Sequence, residues 1–453
     1  MPSPNILFVF ADQMRAQATG FAGDPNVRTP YLDGLATDSV VFTTAVSNCP
    51  VCTPYRACLL TGQYPLTHGL FMNDLCLPDT GQSLGQVLRR SGYDTAWIGK
   101  WHLDGHGRSA YIPPERRQGF DYWKTVECTH DYHHSLYYAA DGPDPRTWDG
   151  YDAFAQTRDA AAYVRARRGN PRPFALFLSF GGPHDPYDTA PPELQALYPP
   201  EELQLRPNVA PHRQKLARQQ LQGYYAHVTA IDRCVETLDA ALCEAGLRPD
   251  TILVFTSDHG DMVESHWHGS DGPGPRKQGP YDESILVPFL VRYPARFGLE
   301  GRRLPVPLAT PDIMPTLLSL CGLEIGETVE GEDLVPLIEG AGGRRRAGVL
   351  IAAYHPFADW CTARGGRPYR GLRTERYTFV RDRNGPWLLF DNQDDPYQLA
   401  DRVNQAALRP VQQELDAQLR ELLAEQGDSF EQPEQLRQRW GYAVDDVEAI
   451  PYR

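Results

Sequence analysis

Five apolar runs stand out along the chain, at residues 6–10, 95–98, 174–180, 251–256 and 287–292. The runs at 6–10, 174–180 and 251–256 are almost continuously apolar, the pattern of strands buried on both faces of a parallel sheet. Between the runs, apolar residues recur at helical spacing over 30–37, 54–61, 83–90, 153–167, 214–245 and 311–320. Strands alternating with helices predict a doubly wound α/β domain. In such sheets, reacting groups gather at the carboxyl ends of the strands. The polar residues that follow each run are therefore the candidates for chemistry.

The pattern changes at a Gly/Arg-rich stretch, 340–346. After it come short strand-like pieces over 349–353, 369–374, 377–381 and 387–391, then an amphipathic helix over about 405–426. This divides the chain into a large α/β domain, 1–340, and a smaller C-terminal α+β subdomain, 341–453, with an antiparallel sheet and one helix. The tail 442–453 is expected to be irregular and to pack on a neighbouring subunit of a homo-oligomer.

Composition narrows the function. A chain of 453 residues has room for one large domain or two unequal ones. Its 39 Gly and 40 Pro are spread along the length, which points to many ordered loops. A net charge of −14 argues against a nucleic-acid surface, which needs a basic footprint. An anionic small substrate remains compatible, because a cationic pocket can sit in an acidic protein. No run approaches the roughly 18 apolar residues that span a bilayer. The N-terminus lacks the basic, long-apolar and small-residue parts of a signal peptide. Nine scattered cysteines do not read as a disulfide framework. The expectation is a cytoplasmic protein with reduced thiols and no membrane partner.

The first strand run is followed by Asp12-Gln13, and the fourth by Ser257-Asp258-His259-Gly260-Asp261. Two carboxylates, an amide oxygen and an imidazole at two strand ends could converge on one divalent cation. An Asp after a strand can equally be a helix cap. A third piece is Cys52-Thr53-Pro54-Tyr55-Arg56, a C-x-P-x-R pattern opening a helix. Cys49-Pro50-Val51-Cys52 is also formally C-x-x-C, a redox pair or half a zinc site. A structural zinc site wants a second pair at matching spacing, and none is present. A redox role leaves Arg56, Lys100 and Asp258 unexplained.

The C-x-P-x-R block resembles the signature of the type I, formylglycine-dependent sulfatases of the alkaline phosphatase superfamily. In that family a maturing partner enzyme oxidises the cysteine to formylglycine. Further blocks resemble the family in its order: Gly99-Lys100-Trp101-His102, Pro183-His184-Asp185-Pro186, Ser257-Asp258-His259-Gly260, and Lys277 ahead of Tyr281-Asp282-Glu283-Ser284. Leu389-Phe390-Asp391 with Asp394-Asp395-Pro396 resembles its C-terminal element. The implied fold is a large mixed, mostly parallel sheet flanked by helices. Three residues depart from the pattern. Tyr55 stands where Ser is usual, Gln13 where many members have a second Asp, and His259 where some have Asn.

The resemblance implies a sulfate ester as substrate, cleaved by the hydrated formylglycine formed from Cys52. One divalent metal, Ca2+ or Mn2+, would be held by Asp12, Gln13, position 52, Asp258 and His259. Arg56 would hold the hydrate, Lys100 and Lys277 would grip sulfate oxygens, and Asn73 would lie near the substrate. His184 would protonate the leaving alcohol, and His102 would deprotonate the second hydroxyl so that the aldehyde reforms. The same nucleophile also serves phosphonate monoester and phosphodiester hydrolases, whose substrates share a singly charged tetrahedral centre. A non-catalytic binding protein that keeps the Cys52 thiol is a further alternative, and the full set of charged residues argues against it. Phosphomutases of the superfamily use Ser or Thr, which Cys52 argues against. His130, His133 and His134 read as an insertion lining the substrate mouth. Trp148, His355 and Trp360 are further specificity candidates, and at least one of His266 and His268 is expected to order its loop.

Overall fold

The computed structural model describes residues 3–269, 272–342 and 346–451. The expected Gly/Arg-rich boundary therefore lies partly outside the described residues, as do the last two positions of the tail. Each of the five predicted runs forms a strand; four are lengthened by one to three residues at one or both ends, Asn5–Asp12, Asp94–Lys100, Phe174–Pro183 and Thr251–Ser257, and the fifth, Phe289–Arg292, starts two residues later than predicted.

These strands form the centre of one ten-stranded sheet. Strands Thr251–Ser257, Asn5–Asp12, Phe174–Pro183, Asp94–Lys100 and Tyr122–Val126 lie side by side and run parallel. Phe289–Arg292 pairs antiparallel beside Thr251–Ser257, so the sheet is mixed, as expected. The outer strands Val40–Phe42, Arg302–Leu304, Leu136–Ala139 and Arg146–Thr147 were not foreseen. Each is only two to four residues long, too short to show an apolar run.

Two apolar layers sandwich the sheet. One face packs Ile6, Phe8, Phe10, Trp97 and Phe177 against the helix Cys52–Thr61 and its neighbours. The other packs Leu7, Val9, Ile98, Leu176 and Leu253 against helices Asp152–Arg165 and Gln214–Ala245. Burial on both faces explains why these strands read as continuous apolar runs rather than alternating ones.

A second sheet is antiparallel, in the order Gly348–Ala353, Tyr369–Thr374, Tyr377–Asp382, Gly385–Asp391. Here the side chains alternate. Leu350, Leu372, Phe379 and Leu389 face the helix Arg409–Glu425 through Leu415, Leu419 and Leu423. Val349, Ile351, Val380 and Phe390 face the catalytic part through Val46, Ile285 and Leu286. No helix among the described residues is long and apolar enough to cross a membrane.

Candidate active site

Four parallel strands end at one level, with Ala11 beside Ser257, and Phe10 and Gly99 both beside Ser179. Asp12, Lys100, Asp258 and His184 follow at or just past those ends. The helix Cys52–Thr61 points its N-terminus at the same place, with Cys52 as its first residue and extended Val51 as its N-cap. The helix begins two residues before the predicted 54–61. Pro54 sits in the first turn, where its missing N–H leaves no intrahelical bond unmade. The approach to the helix is pinned. Ser47 Oγ donates to the Asp258 carbonyl at 2.7 Å, and Asn48 Oδ1 accepts the Thr310 N–H at 2.7 Å.

Cys52 is buried where charges of both signs meet. Its Sγ lies 3.3 Å from His259 Nε2, 3.5 Å from Lys277 Nζ, and 3.7 Å from both Lys100 Nζ and Asp12 Oδ1. Burial and Asp12 oppose a thiolate, but Lys100, Lys277 and His259 outweigh them and hold the thiol well below its ordinary range. Cys49 packs in the apolar core, and all nine cysteines are free thiols.

Arg56 is fully buried and ties the floor together. Its Nη2 bridges Asp12 at 3.2 Å and Asp258 at 3.3 Å, while Nη1 donates to Ser179 Oγ at 2.7 Å and to the Lys100 carbonyl at 2.9 Å. These contacts make Arg56 act on position 52 through the two carboxylates beside it. Burial resists charge on Asp12, but Lys100, His184, Arg56 and His259 hold its carboxyl well below the usual range. Asp258, desolvated and facing the Asp12 charge, is pushed up to about 6. Two carboxylates competing for limited positive charge favour an added cation.

The donor set fits one. Ligand atoms of Asp12, Cys52, Asp258 and His259 all lie within 4.8 Å of one another. His259 Nδ1 donates to the Gly260 carbonyl at 2.9 Å, which leaves Nε2 as the ligating atom. Gln13 Nε2 donates to Asp261 Oδ2 at 2.9 Å, and Gln13 Oε1 is buried without a hydrogen-bond partner. Gln13 (φ 70°) and His102 (φ 58°) both hold left-handed backbone, the kind of conformation that clusters at functional sites.

Around this floor, Lys277 Nζ lies 3.1 Å from His184 Nε2, and His184 Nδ1 lies 2.8 Å from the Asp185 carbonyl. Burial and Lys277 keep the His184 imidazole neutral, well below its ordinary value. His102 Nε2 meets Asp74 Oδ1 at 2.7 Å. Burial opposes a charge on His102, but Cys128 and the Asp74 hydrogen bond raise it to about 10. Asn73 lines the cavity and accepts the Thr53 N–H at 3.0 Å, so it also caps the helix that carries Cys52. The cavity is about 310 Å3 in volume.

All the residues singled out from the sequence for the floor thus converge. Four that matter were not singled out for this role: Asp74, Ser179, Asp261 and Cys128. Ser179 was visible as a polar residue inside an apolar strand, and Asp261 as part of the Asp258 block. Asp74 and Cys128 reach the site by long-range packing that leaves no local signal. Of the histidine cluster, His130 lines the cavity and stacks on His184 with ring centroids 4.5 Å apart. His133 instead meets the Thr189 carbonyl at 2.9 Å, and His134 is exposed. Trp148 is buried against Tyr137 and donates to Asp159 at 3.0 Å, away from the mouth, which removes it as a specificity candidate. His266 stacks on Tyr281 at 4.0 Å and orders its loop.

A cation-ready, lysine-rimmed floor at the strand ends of this sheet defines an alkaline phosphatase-like hydrolase. The sulfatase family profile matches residues 4–323, and the C-terminal profile of N-sulphoglucosamine sulphohydrolase matches residues 276–425. The chain belongs to the type I sulfatase family of the alkaline phosphatase superfamily. It is 44% identical to an ulvan-active sulfatase of Formosa agariphila, over 99% of this chain and 87% of that protein. It is 32% identical to an endo-4-O-sulfatase of Bacteroides thetaiotaomicron, over 92% of each chain. A solved structure from work on glycosaminoglycan metabolism by Bacteroides thetaiotaomicron superposes with a TM-score of 0.84 at 32% identity, covering 94% of this chain and 97% of the other. The protein is a sulfuric ester hydrolase.

Proposed function

We propose that the chain removes sulfate from a saccharide, with Cys52 matured to formylglycine by a partner enzyme and one divalent cation, Ca2+ or Mn2+, at Asp12, Gln13, Asp258 and His259. The observation that carries the reading is the place of Cys52, first in a buried helix and ringed by Lys100, Lys277, His259 and Asp12. When present, the formylglycine hydrate would supply the oxygen nucleophile, and the cation would supply positive charge against the anionic ester. The residues of the chain then do the rest. Lys100 and Lys277 take the sulfate oxygens, and the helix N-terminus adds partial positive charge beneath them.

Lys277 and His184 share a hydrogen bond, so a proton for the leaving alcohol is drawn from the pair rather than from His184 alone. His102, oriented by Asp74, accepts the proton of the second hydroxyl when sulfate is expelled. In the thiol form His102 is held protonated. Cys128 and the Asp74 hydrogen bond are larger causes of the raised value than the Cys52 thiol, so maturation of Cys52 relieves it only in part.

The rim supports a hydroxyl-rich alcohol. It sets Arg108 and Arg276 among Asp74, Asp185, Asp359 and Asp445, giving fixed donors and acceptors, and Phe357 is the one Phe, Tyr or Trp among its described lining residues. The relatives named for ulvan and studied for glycosaminoglycan metabolism agree with this.

The test is protein coexpressed with the maturing enzyme. Peptide mass spectrometry should show an aldehyde in place of the Cys52 thiol. A panel of sugar sulfates, aryl sulfates and phosphate diesters should then show sulfate release dominating. An unconverted thiol, or phosphodiester turnover exceeding sulfate release, would overturn the reading.

A further inference from the structure

The described C-terminal segment, up to Pro451, lies against the site. After the helix Pro433–Trp440, residues 441–451 run across the mouth of the cavity, and Asp445, Ala449, Ile450 and Pro451 form part of its wall. The described part of this tail is irregular, as expected, and packs on its own chain. The reason is an apolar anchor. Trp440 and Tyr442 stack on each other, and Tyr442 lies 5.6 Å from Phe71. Gly69 admits Trp440 so closely that a Cβ there would lie 2.5 Å from the indole ring. The Tyr442 hydroxyl also donates to the Gly69 carbonyl at 3.2 Å.

Beyond the anchor the strap folds into a turn organised by one side chain. The Asp445 carboxylate accepts the N–H groups of Val447 at 3.0 Å and Ala449 at 2.9 Å. The turn is then tied to the opposite rim. Val447 accepts the Ala358 N–H at 2.8 Å, and the Glu448 carboxylate takes the Thr362 N–H at 2.7 Å and its hydroxyl at 3.1 Å. The strap thus bridges two separate walls of the site. One is the loop from Gly69 to Asp74, which carries Asn73. The other is the segment at 357–362, which lies beside Lys277 and Gln278 in the cavity.

This bridging has a geometric consequence. A sugar in the middle of a polymer needs the chain to leave the site in two directions, so its site must be a groove open at both ends. A sugar at the end of a polymer needs one exit. At about 310 Å3 the cavity lies at the small end of ligand pockets, which run to about 300–1,000 Å3. We propose that the strap 441–451 is the specificity wall of this sulfatase, closing one end of a groove so that sulfate is removed from a terminal sugar and an internal sugar is excluded. The proposal rests on the saccharide reading above. It assigns the strap no part in the chemical step, because none of its polar contacts reaches Cys52, Lys100, Lys277 or His184.

The test uses the full matured enzyme and two altered chains. One chain ends after Tyr442, keeping the apolar anchor and losing the turn. The other carries Glu448→Ala, which unties the turn from Thr362 and leaves every buried side chain in place, so the question is answered even if the shortened chain folds poorly. The probes are hexasaccharides sulfated on the non-reducing terminal ring only or on an internal ring only, with an aryl sulfate alongside. Sulfate release is read as the internal-to-terminal ratio within each protein, which is independent of any loss of overall rate. The unaltered enzyme should favour the terminal sulfate, and both altered chains should raise the ratio by about tenfold or more. Internal release by the unaltered enzyme at the terminal rate, or an unchanged ratio in both altered chains, would overturn the proposal while leaving the sulfatase reading intact. Turnover of the aryl sulfate with no release from any sugar would remove the saccharide reading, and the strap proposal with it.

Discussion

Ser179 interrupts an apolar strand, and its hydroxyl accepts a hydrogen bond from the buried Arg56 guanidinium. Replacing it with Ala leaves a buried, charged donor unpaired. Ser179→Ala should cost about 1–3 kcal/mol of stability by denaturant titration, together with a loss of sulfate release as the Asp12–Asp258 floor loosens. An unchanged unfolding midpoint would mean that water takes the hydroxyl's place. Cys52 gives the opposite separation. Cys52→Ala should abolish turnover while the melting temperature stays close to that of the parent, since the small side chain touches charged groups rather than core. Residual turnover in Cys52→Ala at the parent rate would remove the nucleophile assignment. Both residues show the same physics: a buried polar side chain facing the site is kept because its partners are fixed around it.

The helix Asp152–Arg165 sets local preference against burial. An acid in the first turn favours the helix dipole, yet Asp152 is buried, and desolvation pushes its carboxyl up to about 7. Its folded value lies above the unfolded one, so the protonated form favours the folded chain. That contribution is full below about pH 4 and is lost as the pH rises towards 7, a swing on the order of 4 kcal/mol. Asp152→Asn should flatten the fall in stability between about pH 4 and pH 7, measured by denaturant unfolding at each pH. Equal slopes for parent and variant would show that the carboxylate is solvated in the folded state. Other elements carried their signals openly. Ser83 and Gln86 form a capping box at the start of Leu84–Arg90, and the 32-residue helix Gln214–Ala245 has the bounds its spacing predicts.

At the scale of the whole molecule, the site joins segments from almost the full length of the chain, from Asp12 to Pro451. Cation binding therefore couples to global stability. Saturation at 100 times Kd should add about 2.7 kcal/mol, so a chelator should lower the melting temperature and Ca2+ or Mn2+ should restore it. Identical melting with chelator and with either ion would argue against a cation at Asp12 and Asp258. The clustered positive groups at the site sit in a chain of net charge −14, so a local field rather than the overall one draws the anionic ester.

The sequence by itself determined the sheet core, the strand ends that hold Asp12 and Asp258, and the helix that opens at Cys52. These follow from local apolar periodicity and from residue types at short spacing, which need no knowledge of distant contacts. The tertiary structure alone decided that Asp74 would orient His102, that Cys128 would face the cavity, that His130 rather than His133 or His134 would line it, and that Trp148 would not. It also turned the tail inward, because the pocket at Gly69 that receives Trp440 lies some 370 residues away in the chain. Such pairings are set by which surfaces meet once the sheet has formed, and no local pattern records them.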